Sequence, residues 1–356
     1  MKRQQLLLLS AVTIVIIIAA ALFNQSRAPQ TTIEKETLFP ELANRINDVT
    51  RIEIKSSEDP DVILQKMQGG QWALQSADNY PAQFDKVKDV VVSLSQLKIL
   101  ATKTDNPKLY PELGVEGPQG NNTSSLLLTL SDQSGTALAS LIVGKPRKSS
   151  TGSNRPNLYV RKADAKNALL VEGYLQLKSN NNAWYERNVI HIPASRIQKV
   201  NIFKSTGDLL LIKKHSEGDT EFKVIEGNTA SPSVLLNKLG TFFEDMHVEG
   251  VHAANNFEFP DDVTITTFTT FNGLVITVKN VLNDGKAYAH FSFKTSTISS
   301  SPLNTEGGDG TPESHSETIS VEEESQLWNQ FLSHWVYEIP EFKFETLDVN
   351  VAQSSE

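Results

Sequence analysis

Leu6 to Phe23 is an apolar run broken only by Ser10 and Thr13, and no other segment approaches its apolar density. In hydrocarbon every backbone polar group must be bonded inside the segment, so a spanning stretch is a helix of roughly 20 mostly apolar residues. The run just meets that length. Val12 and Ile14 to Ile18 are β-branched and poor helix formers in water, but a chain in lipid has little alternative. Lys2 and Arg3 precede the run and only Arg27 follows closely. The positive-inside rule therefore puts residues 1–5 in the cytoplasm and everything after 6–23 outside it. The pattern predicts a single-pass anchor in a bacterial inner membrane with a periplasmic body. A cleaved signal peptide is the competing reading, with Ala19-Ala20-Ala21 as a small-residue site. The run exceeds the roughly 7–15 apolar residues of a signal core, which favours the anchor. Either way the body is exported.

Composition then narrows the partners and the chemistry. At 356 residues the chain has room for two domains of ordinary size beyond the anchor. A net charge of −9, with no basic stripe interleaved with aromatics, argues against a nucleic-acid partner. The same charge repels anionic lipid, so residues 6–23 are the expected membrane contact. There is no cysteine, which excludes disulfides, thiolate chemistry, zinc–thiolate sites and lipid attached at a cysteine. The body must be held together by its core.

Residues 24–37 are polar, contain Pro29 and read as a tether. A short helical turn is expected after Leu38. Arg51-Ile52-Glu53-Ile54-Lys55 alternates with period two, a half-buried strand. Val62–Met67 and Gln71–Leu74 follow as strands around a tight Gly69-Gly70 turn. Phe84, Val87, Val90, Val91, Leu94 and Leu97 recur at three- and four-residue steps, an amphipathic helix with Pro81 in its first turn. A connector over 109–115, a hairpin of Leu126–Leu130 with Leu138–Val143, a strand at Leu158–Val160 and a helical turn near Ala163–Leu170 complete a first unit. Trp184-Tyr185 and Ile190–Pro193 close it.

The order then begins again. Ile197–Phe203 echoes Val49–Ile54, Leu209–Lys213 echoes Val62–Lys66, and Phe222–Val224 takes the place of Trp72–Leu74. Ser231-Pro232 should open a helix whose stripe is Leu235, Leu239, Phe242, Phe243 and Met246. Val263–Phe271 and Leu274–Val278 flank Asn272-Gly273, a strong hairpin signal. Tyr288–Phe293 matches the strand at Leu158, and Trp335–Pro340 resembles Trp184 to Pro193. The expected fold class is α+β, two tandem duplicated units over 38–194 and 195–347. Each is a mostly antiparallel sheet with one main packed helix. Thr295–Ser320, rich in Ser, Thr, Gly and Glu, should be a disordered loop in the second unit, and 348–356 a tail.

Signatures of chemistry are sparse. No Gly-x-Ser-x-Gly, His-Glu-x-x-His, Walker loop or Gly-x-Gly-x-x-Gly is present. Ser95-Gln96-Leu97-Lys98 fits Ser-x-x-Lys but lacks its companion motifs, so it reads as the end of the first helix. Glu244, Asp245, His247, Glu249 and His252 are the densest ligand-capable cluster. The histidines lack a helical spacing, which favours a solvated surface over a metal site. Asp261-Asp262 and Glu322-Glu323-Glu324 suit helix starts. Trp72, Trp184, Trp328 and Trp335 read as core. No catalytic, cofactor-binding or metal-binding residues are therefore assigned.

Several stretches together resemble the DUF4340 family of bacterial proteins. They are Leu38-Phe39-Pro40-Glu41-Leu42 with Asn47-Asp48-Val49 and Ile52-Glu53-Ile54; Trp72-Ala73-Leu74 with Tyr80-Pro81-Ala82; Lys103-Thr104 with Leu109-Tyr110 and Leu113-Gly114-Val115; and Ile142-Val143-Gly144-Lys145 with Leu158-Tyr159-Val160-Arg161. The resemblance is strongest from Leu38 to Arg196. It implies a single-pass envelope protein, similar in some members to auxiliary components of gliding-motility-type ABC export systems. A permease and an ATPase would then come from other chains. The expected function is a non-enzymatic periplasmic accessory or scaffold protein. A glycan- or lipid-binding module is the alternative, with a metal-dependent hydrolase at His247 and His252 behind it.

Overall fold

The alternating residues 51–55 and their expected echo at 197–203 both form strands, and each strand becomes the third or fourth member of a large antiparallel sheet. The computed structural model describes residues 36–119, 123–147, 156–229, 231–296, 319–349 and 351–352. The expected anchor at 6–23, most of the expected tether and most of the expected 295–320 loop lie outside them. Among the described residues no helix is long and apolar enough to cross a membrane.

The first sheet contains β1 (Arg51–Lys55), β2 (Val62–Lys66), β3 (Trp72–Leu74), β4 (Tyr80–Pro81), β5 (Lys98–Thr104), β6 (Leu126–Ser131), β7 (Ala137–Arg147), β8 (Asn157–Lys162) and β9 (Ala168–Glu172). Its order is β4-β3-β2-β1-β6-β7-β8-β9-β5. Ile52 and Ile54 are buried while their neighbours stay half-exposed, the expected consequence of the pleat. Gly69 and Gly70 both take positive φ between β2 and β3, which a Cβ would oppose. Three helices accompany the sheet, α1 (Leu42–Arg45), α2 (Phe84–Ser95) and α3 (Tyr110–Leu113). Helix α2 carries the chain from β4 to β5 at the opposite edge. It buries Val87, Val90, Val91 and Leu94 in the main core, each side chain worth about 1.5–3 kcal/mol.

After β10 (Asn188–Ile190) a second sheet is formed by β11 (Ile197–Phe203), β12 (Leu209–Lys213), β13 (Lys223–Glu226), β16 (Gly250–Ala253), β17 (Thr264–Thr270), β18 (Leu274–Asn283), β19 (Lys286–Thr295) and β20 (Trp335–Ile339). Its order is β13-β12-β11-β17-β18-β19-β20-β16. Two short strands, β14 (Asn228–Thr229) and β21 (Val351–Ala352), pair with each other, and β15 (Met246–His247) pairs with β10. The helices of this half are α4 (Ser233–Gly240), α5 (Val321–Leu332) and α6 (Glu341–Leu347). Phe242, Phe243, Phe268 and Phe291 pack ring on ring at its centre. Large antiparallel sheets with packed helices define an α+β protein.

Several elements differ from the sequence expectation. Pro81 lies in edge strand β4 and not in a helix, a position where its missing N–H is tolerated. Phe84 is 58% exposed, so the α2 stripe begins at Val87. Lys98–Thr104 is a strand, and the turn expected at Ala163–Leu170 gives way to strand β9. Ser231 does not cap α4: Pro232 occupies that place with no side-chain bond. Leu236, not Leu235, faces the core there, and α4 ends before Phe242, Phe243 and Met246. Asp261-Asp262 form a turn, whereas Glu322, Glu323 and Glu324 fill the first turn of α5 behind a Ser320–Glu323 capping box. Trp335 begins strand β20, whereas Trp184 follows a short 3-10 turn and lies in no strand. At the tether's end Thr37 bridges Lys98, and within the expected tail Val351 pairs with Thr229.

Candidate functional site

The residues singled out from sequence do not converge. Ser95 ends α2 with its hydroxyl donating to the Val92 carbonyl at 2.7 Å, and Lys98 already belongs to β5. Serine and lysine are therefore not stacked one helical turn apart. Glu244 accepts the Ala194 amide at 2.9 Å, and its own carbonyl lies 2.6 Å from His191 Nδ1. His247 packs beside Phe342, whereas His252 is on another strand against Phe257 and Tyr288. Among the described residues no three His, Asp or Glu side chains are grouped as metal ligands. Trp72 and Trp184 are buried, and Trp328 and Trp335 are half-buried.

Beside Glu244 and Asp245 stands a buried lysine that sequence reading passed over. Lys343 on α6 donates to the Phe242 carbonyl at 2.7 Å. Burial pulls its ammonium below the ordinary lysine range against the opposing pull of Asp245 and Glu244. Lys214 does the same at the other side of α4, donating to the Ala194 carbonyl at 2.8 Å over the Phe222 ring. Both cations hold backbone carbonyls of turns next to α4.

The two sheets meet at β4 and β16. Asp78 takes positive φ and its carboxylate accepts the Ala253 amide at 2.8 Å. Tyr80, Tyr185, Trp335 and Tyr337 pack edge to face behind it. Burial raises the Tyr80 phenol and pushes Tyr185 up to about 12. Burial also raises Tyr337 well above the ordinary range, with its hydroxyl buried and no partner in good hydrogen-bonding geometry.

Outside this aromatic joint lies an open, mostly apolar groove of about 340 Å3. Tyr80, Pro81 and Val189 form one wall and Trp328, Phe331 and Leu332 of α5 the other. Phe331 is 61% exposed, and Leu327, one turn earlier, is exposed too. Arg196 fixes α5 in place, its guanidinium gripping Glu324 through two bonds of 2.9 and 2.8 Å. A supported helix that presents Leu and Phe to solvent beside a groove has the build of a docking surface. Sequence reading treated Trp328 as core and did not assign Phe331. The i, i+4 spacing of Leu327 and Phe331 was the available signal.

The outer face of the first sheet explains some of the stretches that carried the family resemblance, those around Leu109–Val115, Ile142–Lys145 and Arg161. Tyr110, Val115, Ile142 and Ala168 form a small separate core. Arg161 stacks over the Tyr110 ring at 4.7 Å and donates to the carbonyls of Val115, Ala165 and Glu116. Lys145 Nζ donates to the Pro111 and Glu112 carbonyls. Tyr110 donates in turn to the Lys166 carbonyl. A Cβ on Gly144 would stand 2.5 Å from the Leu113 carbonyl oxygen. Leu113-Gly114-Val115, Gly144-Lys145 and Arg161 are thus one clamp that fastens the 105–117 connector to the sheet.

Fold and clamp together place the chain in a class of α+β proteins built on long antiparallel sheets. It belongs to the family described as a domain of unknown function, DUF4340, whose model matches residues 72–258. The matched segment contains the clamp, α2 and the Tyr80 wall of the groove, but not α5. No curated protein and no solved structure matches the chain.

Proposed function

We propose that this chain is a non-enzymatic accessory protein of an ABC-type transport or envelope system. Residues 6–23 anchor it in the bacterial inner membrane, and its body stands in the periplasm. The apolar run and its flanking charges support the location. The body is a tandem duplication. In its support, β3-β2-β1-β6-β7-β8-β9-β5 and β13-β12-β11-β17-β18-β19-β20-β16 run in the same order strand for strand.

The observation that carries the reading is the groove between Tyr80 and Phe331. Its walls come from both halves, and its lining is apolar with Glu186 and Gln83 at the rim. An apolar helix face of a membrane permease, exposed at the periplasmic side, is the matching partner.

Crosslinking followed by purification from membranes tests this, with the full chain beside one lacking residues 1–23 and beside Phe331→Ser. The full chain is expected to bring down a permease or its ATPase. That yield should fall several-fold with Phe331→Ser and fade without the anchor. Equal recovery of the same partners by all three forms, or no transport or envelope protein with the full chain, would overturn it.

A further inference from the structure

Gln83 donates to Glu186 at 2.9 Å, and this pair borders both the junction groove and a second, larger cleft. The cleft measures about 610 Å3 and runs between the outer face of α2 and the chain from Tyr174 to Arg187. That volume suits a ligand of drug size, comparable to a di- or trisaccharide. Tyr174-Leu175-Gln176-Leu177-Lys178 alternates although it is not paired in a sheet. Leu175 and Leu177 pack on the core, while Tyr174, Gln176 and Lys178 face outward and line the cleft. Asn180-Asn181-Asn182 follows. The middle asparagine is fastened, accepting the Ser76 hydroxyl at 2.7 Å and donating to the Ser76 carbonyl at 3.1 Å. Its neighbours Asn180 and Asn182 line the cleft. The floor is rigid: Trp184 is buried and its indole N–H donates to the Lys178 carbonyl at 3.1 Å.

We propose that this cleft binds a neutral oligosaccharide. Sugar recognition needs two things together. Side-chain amides, each carrying donors and an acceptor, satisfy vicinal hydroxyls, and an aromatic ring receives the apolar face of a pyranose. Tyr174 is 57% exposed, and its ring supplies the platform. Gln176, Asn180 and Asn182 hold their amides in the same cleft with no hydrogen bond to the described protein. Most of the charge there is already engaged. Lys86 donates to the Ala183 carbonyl, Arg187 to the Val248 carbonyl, and Glu186 accepts from Gln83 and the Asn188 amide. With Asp89 and Lys178 the lining holds three cations and two anions, which nearly cancel. A cleft of such balance favours an uncharged ligand over a polyanion.

Titration calorimetry of the full chain in detergent, with cellotriose, maltotriose and triacetylchitotriose as probes, tests the assignment. At least one is expected to bind saturably at one site. Tyr174→Ala, and separately Asn180→Ala with Asn182→Ala, should weaken it by about tenfold or more. All these side chains sit at the surface, and an unchanged circular dichroism spectrum and melting temperature confirm that the variants fold. Phe331→Ser should leave sugar binding untouched, which separates this cleft from the partner groove. The proposal fails if none of the three sugars binds, if Tyr174→Ala binds as well as the native chain, or if dextran sulfate displaces the sugar in preference to neutral dextran.

Discussion

Tyr80 stands edge-on to Trp335, their ring centroids 4.8 Å apart and their planes at 73°. One ring belongs to the last strand at the edge of the first sheet, the other to a strand inside the second. Tyr185 approaches Tyr80 at 5.1 Å and Tyr337 at 6.3 Å, so the contact is part of a four-ring joint. Each such pair adds about 0.5–1.5 kcal/mol beyond the area it buries. The buried residues of both halves form one continuous core through this joint. The sheets are therefore expected to unfold together.

Tyr80→Ala and Trp335→Ala should each lower stability by about 3 kcal/mol. The double variant should lose about 1 kcal/mol less than the sum, because the rings share one contact. Urea unfolding followed by fluorescence and by circular dichroism measures both. Strict additivity, or two separated transitions in the native chain, would show that the joint does not couple the sheets.

Asp78 supplies the polar half of the same joint. Its carboxylate holds the Ala253 amide at 2.8 Å, from a left-handed backbone with φ of 53°. Asp78→Ala removes the acceptor and leaves that amide without its partner, for a loss of about 1–3 kcal/mol. Asp78→Asn keeps an acceptor oxygen and a residue that tolerates the left-handed region, so it should recover most of the loss. Similar midpoints for the two variants in urea would mean that the Ala253 bond contributes nothing.

The elements legible in the sequence are those where one physical signal dominated. Arg51–Lys55 alternates cleanly because one face is buried, whereas Ile197–Phe203 alternates only from Val200, after a break in register between Ile197 and Lys199. The hairpin at Asn272-Gly273 carries its own turn chemistry. Strand β5 was missed because Lys98–Thr104 has no fully buried position and hence no period to read. Ala168–Val171 is a short continuous apolar run, which suits a helix turn as well as a strand. Tertiary pairing with β5 and β8 decides it. The groove was half visible: Leu327 and Phe331 share a helix face, but Tyr80 and Pro81 on the opposite wall are more than 240 residues away in the chain. The alternation at Tyr174–Lys178 was present throughout, although no sheet partner marks it.

Gly144 tests the clamp behind the family resemblance. Its missing Cβ leaves room for the Leu113 and Gly114 carbonyl oxygens, which would lie 2.5 and 2.7 Å from a methyl group. Both are backbone atoms, so the connector itself must move. Gly144→Ala should cost about 1–3 kcal/mol and raise amide hydrogen exchange over 110–117 selectively. Arg161→Met should loosen the same residues without the clash. Exchange that stays uniform across the chain in both variants would remove the clamp as the element that holds the connector.

Alkaline pH offers a reading of the joint without disturbing its shape. Burial, and then the neighbouring Tyr80, push the Tyr185 phenol from 10.0 to about 12 in the folded chain. Below the unfolded value both states hold the proton and its hydroxyl adds no pH dependence. As pH rises past 10.0 the unfolded chain ionises first, so stability falls until the folded group also ionises near 12. Tyr80 and Tyr337 are raised as well and act in the same direction in native and variant chains alike. The difference between the native chain and Tyr185→Phe therefore isolates one phenol. Urea midpoints should differ by a constant amount up to about pH 9, and Tyr185→Phe should gain steadily on the native chain from about pH 10 to 12. A difference that stays flat through that window would mean that Tyr185 is hydrated in solution and that the joint is open to water.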